Sequence, residues 1–509
     1  MKAFLMYRDQ DFGVTARLPA NTAELTKDLE ADTLFRAMAA GDEFLLEVAK
    51  IAVLASLHEP EAILYRQHVL SDCLERPEIV REMYGIAVEA IERERKVWGW
   101  TSEMPESTLY RSIEVLRIFL GLLKRLRQVA DKHGAAFRSE GFVRFFDMLA
   151  TELNDEYLSI IEDHLRRLEF RSGVLISAKL GKGLKGVHYI LRKPAEPKQS
   201  WLERVQGWLG WTGRDRFVYE IADRDEGGFR ALAELRNQGI AHVAAALAQS
   251  TEHILSFFAT LRLELGFYVG CLNLRDALTR KGEPICIPEP LAAGKPMLAG
   301  RGLYDVCLSL NMADRAVGND VDADDKALVM ITGANRGGKS TFLRSVGLAH
   351  LMMQCGMFVP AESFRANVCS GIFTHFKREE DASLKSGKLD EELRRMSSVI
   401  DQISENSVIL LNESFASTNE REGSEIARQI VRALLEAGIK VLYVTHMFDL
   451  AQGFYLANMP QALYLRAERL SDGQRTFRLV EGEPLPTSYG EDLYRRIFRE
   501  GVSEYSLKS

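Results

Sequence analysis

Cysteine is scarce and dispersed. The 509 residues hold six (Cys73, Cys271, Cys286, Cys307, Cys355 and Cys369), none of them in a C-x-x-C pair. That spacing argues against a zinc site and a disulfide framework, and leaves buried, reduced thiols as the expectation. Long apolar runs are missing too. No segment reaches about 18 uninterrupted apolar residues, the length a membrane-crossing helix needs. The apolar run in the opening MKAFLMYRDQDFG is too short for a signal peptide, so a cytoplasmic protein is expected. Neither charge sign dominates: 65 Lys and Arg stand against 72 Asp and Glu, a net charge of −7. The molecule as a whole is therefore no polycation, and any nucleic-acid affinity has to come from a local basic surface. Internal repeats and low-complexity tracts are also lacking. What remains is an ordinary globular composition, long enough for two to four domains.

The first 125 residues read as a helical core. DTLFRAMAAGDEFLLEVAKIAVLASL and PEIVREMYGIAVEAIERERKVWGW carry apolar residues at three-to-four spacing. Leu109 to Gly134 forms a strong amphipathic helix, and FVRFFDMLATELNDEYLSIIEDHLRRLEF continues as a second long helical pattern. From Arg171 to Arg216 the period shortens, and Gly, Pro and Trp enter, which predicts a small hairpin or β-rich module. That stretch holds ten Lys or Arg against three Asp or Glu. Another helical run follows from Gly227. Residues 126–280 thus read as long lever helices around a basic insert at about 171–227. After the Pro- and Gly-rich EPICIPEPLAAGKPMLAG, residues 281–509 alternate short apolar runs (ALVMIT, VILLN, VLYVT) with helical patterns. Strands buried on both faces look like this, so an α/β domain with a parallel sheet flanked by helices is expected.

ALVMITGANRGGKSTFLRSVG matches G-x-x-x-x-G-K-[ST] between such a strand and a helix. Glycines allow backbone N–H groups to curl around phosphates, and the helix N-terminus adds partial positive charge. Gly333, Ala334, Asn335, Arg336, Gly337, Gly338, Lys339, Ser340 and Thr341 are the candidate nucleotide contacts. Lys339 would reach the β- and γ-phosphates, and the Ser340 hydroxyl would ligate Mg²⁺. About seventy residues on, SVILLNES ends a second strand with Asn412 and Glu413. Glu413 stands where a carboxylate can orient or deprotonate an attacking water. Asn412 occupies the place of a metal-holding aspartate; it keeps an oxygen but lacks the charge. It is either a weak metal ligand or the cap of a turn. His446, ending the next strand in VLYVTHMFDLA, is either a γ-phosphate sensor or structural.

Taken together, TGANRGGKSTFLRSVGLAHLMMQCGMFVPAESF, GIFTHFKREEDASLKSG, NESFASTNEREGSEIA, VTHMFDLA and TSYGEDL form an ordered series over some 160 residues. In this series residues from about 330 to 495 resemble the ATPase domain of the MutS family of DNA mismatch-repair and related proteins. Thr418, Glu422 and Gly423 stand in the family's D-E-x-x-x-x-T-x-x-x-[DE]-G element. The helical core, lever and basic module before it follow the family's order. No F-x-E mismatch-reading motif is found near the start, so a shortened relative is expected. The resemblance implies ATP and Mg²⁺ as ligands, a homodimer with composite ATP sites, and DNA bound through its backbone. It also makes Ser386 a candidate contact to the partner's nucleotide. Two places depart from the family: Asn412 replaces its aspartate, and KLDEELRRM follows Ser386-Gly387 in place of an S-T-F-type continuation.

Two functions follow. One is a slowly hydrolysing, ATP-controlled DNA clamp, its grip supplied by Lys179, Lys182, Lys185, Arg192, Lys193 and Lys198, largely on phosphates. The other is a nucleotide-switched interaction protein that does no work on DNA, in which the basic run is a solubilising surface. A transporter-type ATPase is disfavoured, because no L-S-G-G-Q signature is present.

Overall fold

The computed structural model describes residues 1–13, 18–97, 104–170, 173–182, 186–192, 221, 224–378, 387–470 and 474–485. Helices dominate the first half: α1 (Thr22–Asp28), α2 (Asp32–Ala39), α3 (Glu43–Leu54), α4 (Pro60–Glu75), α5 (Pro77–Lys96), α6 (Pro105–His133), α7 (Glu140–Glu152) and α8 (Asp155–Arg167). A hairpin of β1 (Ile176–Leu180) and β2 (Gly186–Leu191) precedes the 55-residue α9 (Glu226–Arg280). Then come β3 (Glu289–Leu291), β4 (Leu298–Leu303), α10 (Val306–Asn311), β5 (Asn319–Asp322), β6 (Leu328–Gly333) and α11 (Lys339–Gln354). The chain continues through β7 (Ser363–Asn367), β8 (Ile372–Phe376), α12 (Lys388–Ile400), β9 (Val408–Asn412) and α13 (Glu420–Glu436). Then, among the described residues, come β10 (Lys440–Val444), α14 (Phe448–Leu456), β11 (Ala462–Arg469) and β12 (Arg475–Glu481).

Two stretches that the apolar spacing reads as continuous helix are broken by capping chemistry. Ala40 and Gly41 turn left-handed (φ 48° and 91°), and Asp42 accepts from the Phe44 and Leu45 amides to start α3. Asn154 does the same for α8, accepting from Tyr157 N at 2.8 Å. A side-chain oxygen that satisfies an orphan amide is worth about 1 kcal/mol, enough to fix a break that periodicity cannot see.

Two compact units are interleaved along the chain. The first comprises Met1–Lys2, Gly85–Gly134 and Phe146–Arg262. Its core lies on α6, whose Pro105 opens the first turn and whose Leu109, Ile113, Leu116, Phe119 and Leu123 are buried. Phe119 meets Phe258 of α9 at 5.6 Å. The hairpin seats on α9 through Ile176 against Gly239, where a Cβ would fall 2.4 Å from the isoleucine. Helix α9 is long and apolar enough to cross a membrane, yet 67% of its most apolar window is buried in protein, as in a core helix.

The second unit comprises Ala3–Tyr84, Ala135–Phe145 and Leu263–Ser509. It carries a six-stranded sheet of order β12-β11-β6-β10-β9-β8. Its strands β11, β6, β10, β9 and β8 are mutually parallel, with β12 antiparallel at the edge. The continuous apolar runs are explained by burial on both faces: Leu328 to Ile331, Val408 to Leu411 and Val441 to Val444 are all buried. A smaller sheet of order β3-β7-β4-β5 accompanies it. All six cysteines are free thiols, five of them buried.

Candidate functional site

Because β6, β9 and β10 run parallel, the loops that follow them open at the same edge of the sheet, where open α/β sheets hold ligands. The loop after β6 carries the glycines. Gly338 caps α11 with φ 90°, a conformation in which an L side chain is strained, and Phe477 O lies 3.2 Å from where its Cβ would be. At Gly337 a Cβ would come 2.6 Å from Ala467 Cβ of β11. The loop is thus pinned between its own helix and the β11–β12 hairpin. Lys339 is buried, and its Nζ donates to Gly333 O (2.9 Å) and Ala334 O (3.0 Å), which stations the amine over the loop. Burial lowers its pKa; the Glu413 charge works in the opposite direction.

Ser340, second residue of α11, donates its hydroxyl to Asn412 Oδ1 at 2.9 Å. Two neighbouring ligands of an octahedral Mg²⁺ stand about 2.9 Å apart when each Mg–O bond is about 2.0–2.1 Å. The pair therefore fits two adjacent positions around such an ion, although neither oxygen brings a charge. Glu413 follows in a left-handed conformation (φ 53°), its N–H bonded to Val444 O at 2.8 Å. That bond ties the end of β9 to the end of β10 and brings His446 Nδ1 to 3.8 Å from Glu413 Oε2, an ionic distance beyond hydrogen-bond reach. The imidazole beside it, then Lys339 and Lys377, hold the Glu413 carboxyl below its usual range against the effect of burial. Glu413 is therefore an ionised carboxylate at neutral pH, one-third exposed, next to a buried amine.

Comparison with known proteins falls on both halves of the chain. Residues 58–281 match the MutS2 N-terminal domain, and residues 329–495 match MutS domain V. The chain belongs to the MutS family. DNA mismatch repair protein MutS of Thermotoga sp. (strain RQ2) is 38% identical over 137 residues, 27% of this chain and 17% of that protein. Its counterpart from Thermus aquaticus is 32% identical over 179 residues, 35% of this chain and 22% of the relative. Endonuclease MutS2 of Lacticaseibacillus paracasei is 30% identical over 275 residues, 52% of this chain and 34% of the relative. These matches span at most about a third of each of these curated relatives.

The family's element after β9 is recognisable as a built turn. Thr418 Oγ1 donates to Glu422 Oε2 at 2.5 Å, Asn419 caps α13 by accepting from Glu422 N at 3.0 Å, and Gly423 lies under Phe415 O, where a Cβ would come within 2.4 Å. Of the basic residues read as DNA contacts, Lys179, Lys182 and Arg192 are exposed at the hairpin, and Arg192 Nε donates to Ser177 Oγ at 2.9 Å. Lys185, Lys193 and Lys198 lie outside the described residues, as do Ser386 and the S-Y-G segment. Two cations at the site had no motif to announce them. Arg475 of β12 reaches Asn335 O at 3.4 Å, and Lys377 follows β8, its amide bonded to Asn412 O at 2.9 Å. The signal for Arg475 was the alternating GQRTFRLVEG, an edge strand that covers the loop.

Proposed function

We propose that this chain binds ATP with Mg²⁺, hydrolyses it slowly, and uses the nucleotide to control a dimeric clamp on duplex, branched or distorted DNA in repair or recombination. The observation that carries the reading is the convergence of Lys339, the Ser340–Asn412 pair and the Glu413–His446 pair at one edge of the sheet. Gly333 to Gly338 and the α11 N-terminus cradle the phosphates through backbone amides. Lys339 leaves the loop carbonyls for the β- and γ-phosphates, and Thr341 lies one residue further along the helix. Ser340 and Asn412 hold the metal, which when bound neutralises charge on the phosphate oxygens. Glu413, ionised and next to His446, orients the attacking water and takes its proton; His446 reports the γ-phosphate. An amide at 412 stabilises the metal less than a carboxylate, so turnover is slow. Ser386, as the family implies, contributes to the partner protomer's nucleotide.

The exposed Lys179, Lys182 and Arg192, with Lys185, Lys193 and Lys198, supply the DNA contacts. Binding to duplex and branched DNA across a salt series, with and without ATP, tests this part. Affinity that falls steeply with salt and changes with ATP is expected. No binding at low salt refutes the clamp. A second reading, a nucleotide-switched interaction protein with little hydrolysis, draws on the uncharged Ser340–Asn412 pair, and it stands if DNA binding is absent while nucleotide still binds.

A further inference from the structure

Behind Glu413 lies a buried polar cluster that the proposed chemistry does not use. His375, the fourth residue of β8, is fully buried and engages both ring nitrogens. Nε2 faces Glu392 O of α12 at 3.0 Å, and Nδ1 faces Ser414 Oγ at 2.8 Å. The ring also stacks on Phe415 (5.4 Å between centroids, 19° between planes). A carbonyl oxygen only accepts, so Nε2 carries the proton. Burial, then the Arg395 charge, pushes His375 down to about 4, so the ring is neutral and Nδ1 is an acceptor. The Ser414 hydroxyl therefore has one proton and two acceptors, Nδ1 and His375 O, the latter at 2.6 Å.

The turn these groups hold is strained. Glu413 and Phe415, neither a glycine, sit at φ 53° and 63°. Left-handed L-residues are sterically strained, and they persist where the surroundings over-determine them. Here the surroundings are Val444 O on the Glu413 amide, Tyr443 Oη on Ser414 O (2.6 Å), and His375 on Ser414 and Phe415. Val444 and Tyr443 belong to the rigid centre of the sheet. His375 also bonds to α12, whose Glu392 carboxyl faces the Phe415 amide and Ser417 from the other side of the turn. That helix bears a second sign of tension: the Glu392 carboxyl is buried and its pKa is raised, with Ser417, Lys377 and Arg395 offsetting only part of the burial cost.

We infer that His375 is a positioning residue for Glu413: through Ser414 on one side and Glu392 O on the other, it couples the placement of α12 to the turn that presents the carboxylate. The two acceptors open to the Ser414 hydroxyl allow the turn to shift without losing its bond. The inference rests on the reading of Glu413 as the group that activates water. A residue that only filled the core would need neither hydrogen bond.

The test compares the full chain with His375→Phe, which keeps the ring and its volume, with Ser414→Ala, and with the double variant. Each single substitution is expected to lower kcat about tenfold with nucleotide affinity held within about twofold, and the double to lose no more than either alone. An unchanged kcat, or losses that multiply to about a hundredfold in the double, overturns the inference. Should wild type show no turnover above Lys339→Ala, the hydrolysis reading itself fails, and amide hydrogen exchange still decides the coupling. Ser414→Ala has to raise exchange in residues 413–416 and in α12 together; a rise confined to 413–416 overturns it.

Discussion

Restoring the missing charge beside Ser340 gives the sharpest perturbation of the site. In Asn412→Asp the side chain keeps its shape, and the 2.9 Å contact from Ser340 becomes charge-assisted. A neutral hydrogen bond contributes about 0.5–1.5 kcal/mol net and one to a charged group about 1.5–3 kcal/mol, so the gain at this contact is about 1–2 kcal/mol. The same carboxylate, at a spacing that suits two adjacent Mg²⁺ ligands, adds a charge where the wild-type pair has none. The hydrogen-bond gain is present without metal and cancels, so the added charge alone should lower the Mg²⁺ concentration for half-maximal nucleotide binding, by about ten- to a hundredfold at about 1.4 kcal/mol per tenfold. The new charge also lies near the Glu413 carboxylate, whose ionised form is favoured by the His446 imidazole and by the Lys339 and Lys377 charges; the two lysines keep the two carboxylates compatible. The assay is a fluorescent ATP analogue titrated with Mg²⁺, wild type against variant, with Lys339→Ala as the blank. A midpoint that moves by less than twofold would show that Asn412 is not at the metal, and the assignment of Ser340 and Asn412 as its ligands would fall.

Other outcomes follow from single residues. Gly338→Ala, forced into φ 90° with Phe477 O at 3.2 Å, should weaken nucleotide binding by about 1–2 kcal/mol, roughly five- to thirtyfold; an unchanged affinity in a titration would refute the loop argument. Glu264 accepts from Leu5 N and Phe12 N, yet burial pushes it up to about 7. Its folded pKa lies above its unfolded one, so its contribution is full below about 4.5 and is lost as pH rises through about 7. Chemical denaturation from pH 4.5 to 8 should show a falling wild-type stability whose Glu264-dependent part is absent in Glu264→Gln; parallel curves would refute it. Lys179→Ala with Arg192→Ala should reduce the slope of log affinity against log salt for duplex DNA by about two, and an unchanged slope removes the hairpin from the DNA contact.

The sheet was legible because its strands are buried on both faces, leaving apolar runs such as ALVMIT and VLYVT that no amphipathic helix would show. The loop was legible because its glycines have no substitutes: Gly338 needs a positive φ, and Gly337 lies against Ala467. Less visible was whatever depends on partners distant in sequence. Arg475 reaches Asn335 only because β12 folds back along β11, and Lys377 meets Asn412 only through the β8–β9 register. Helix breaks at Ala40–Asp42 and Asn154 escaped the periodicity, which continues in phase while a cap interrupts the backbone. His375 gave no signal at all. One histidine in an apolar strand says nothing of Ser414, thirty-nine residues on, or of the α12 carbonyl.

Steady-state ATP turnover with Mg²⁺ tests the central claim most directly, with Lys339→Ala as the blank and Glu413→Gln beside it. Slow turnover above the blank is expected, and Glu413→Gln should lose it by about a hundredfold or more while still binding nucleotide. Turnover equal to the blank, or a Glu413→Gln rate equal to wild type, would contradict the assignment of Glu413 as the group that activates water.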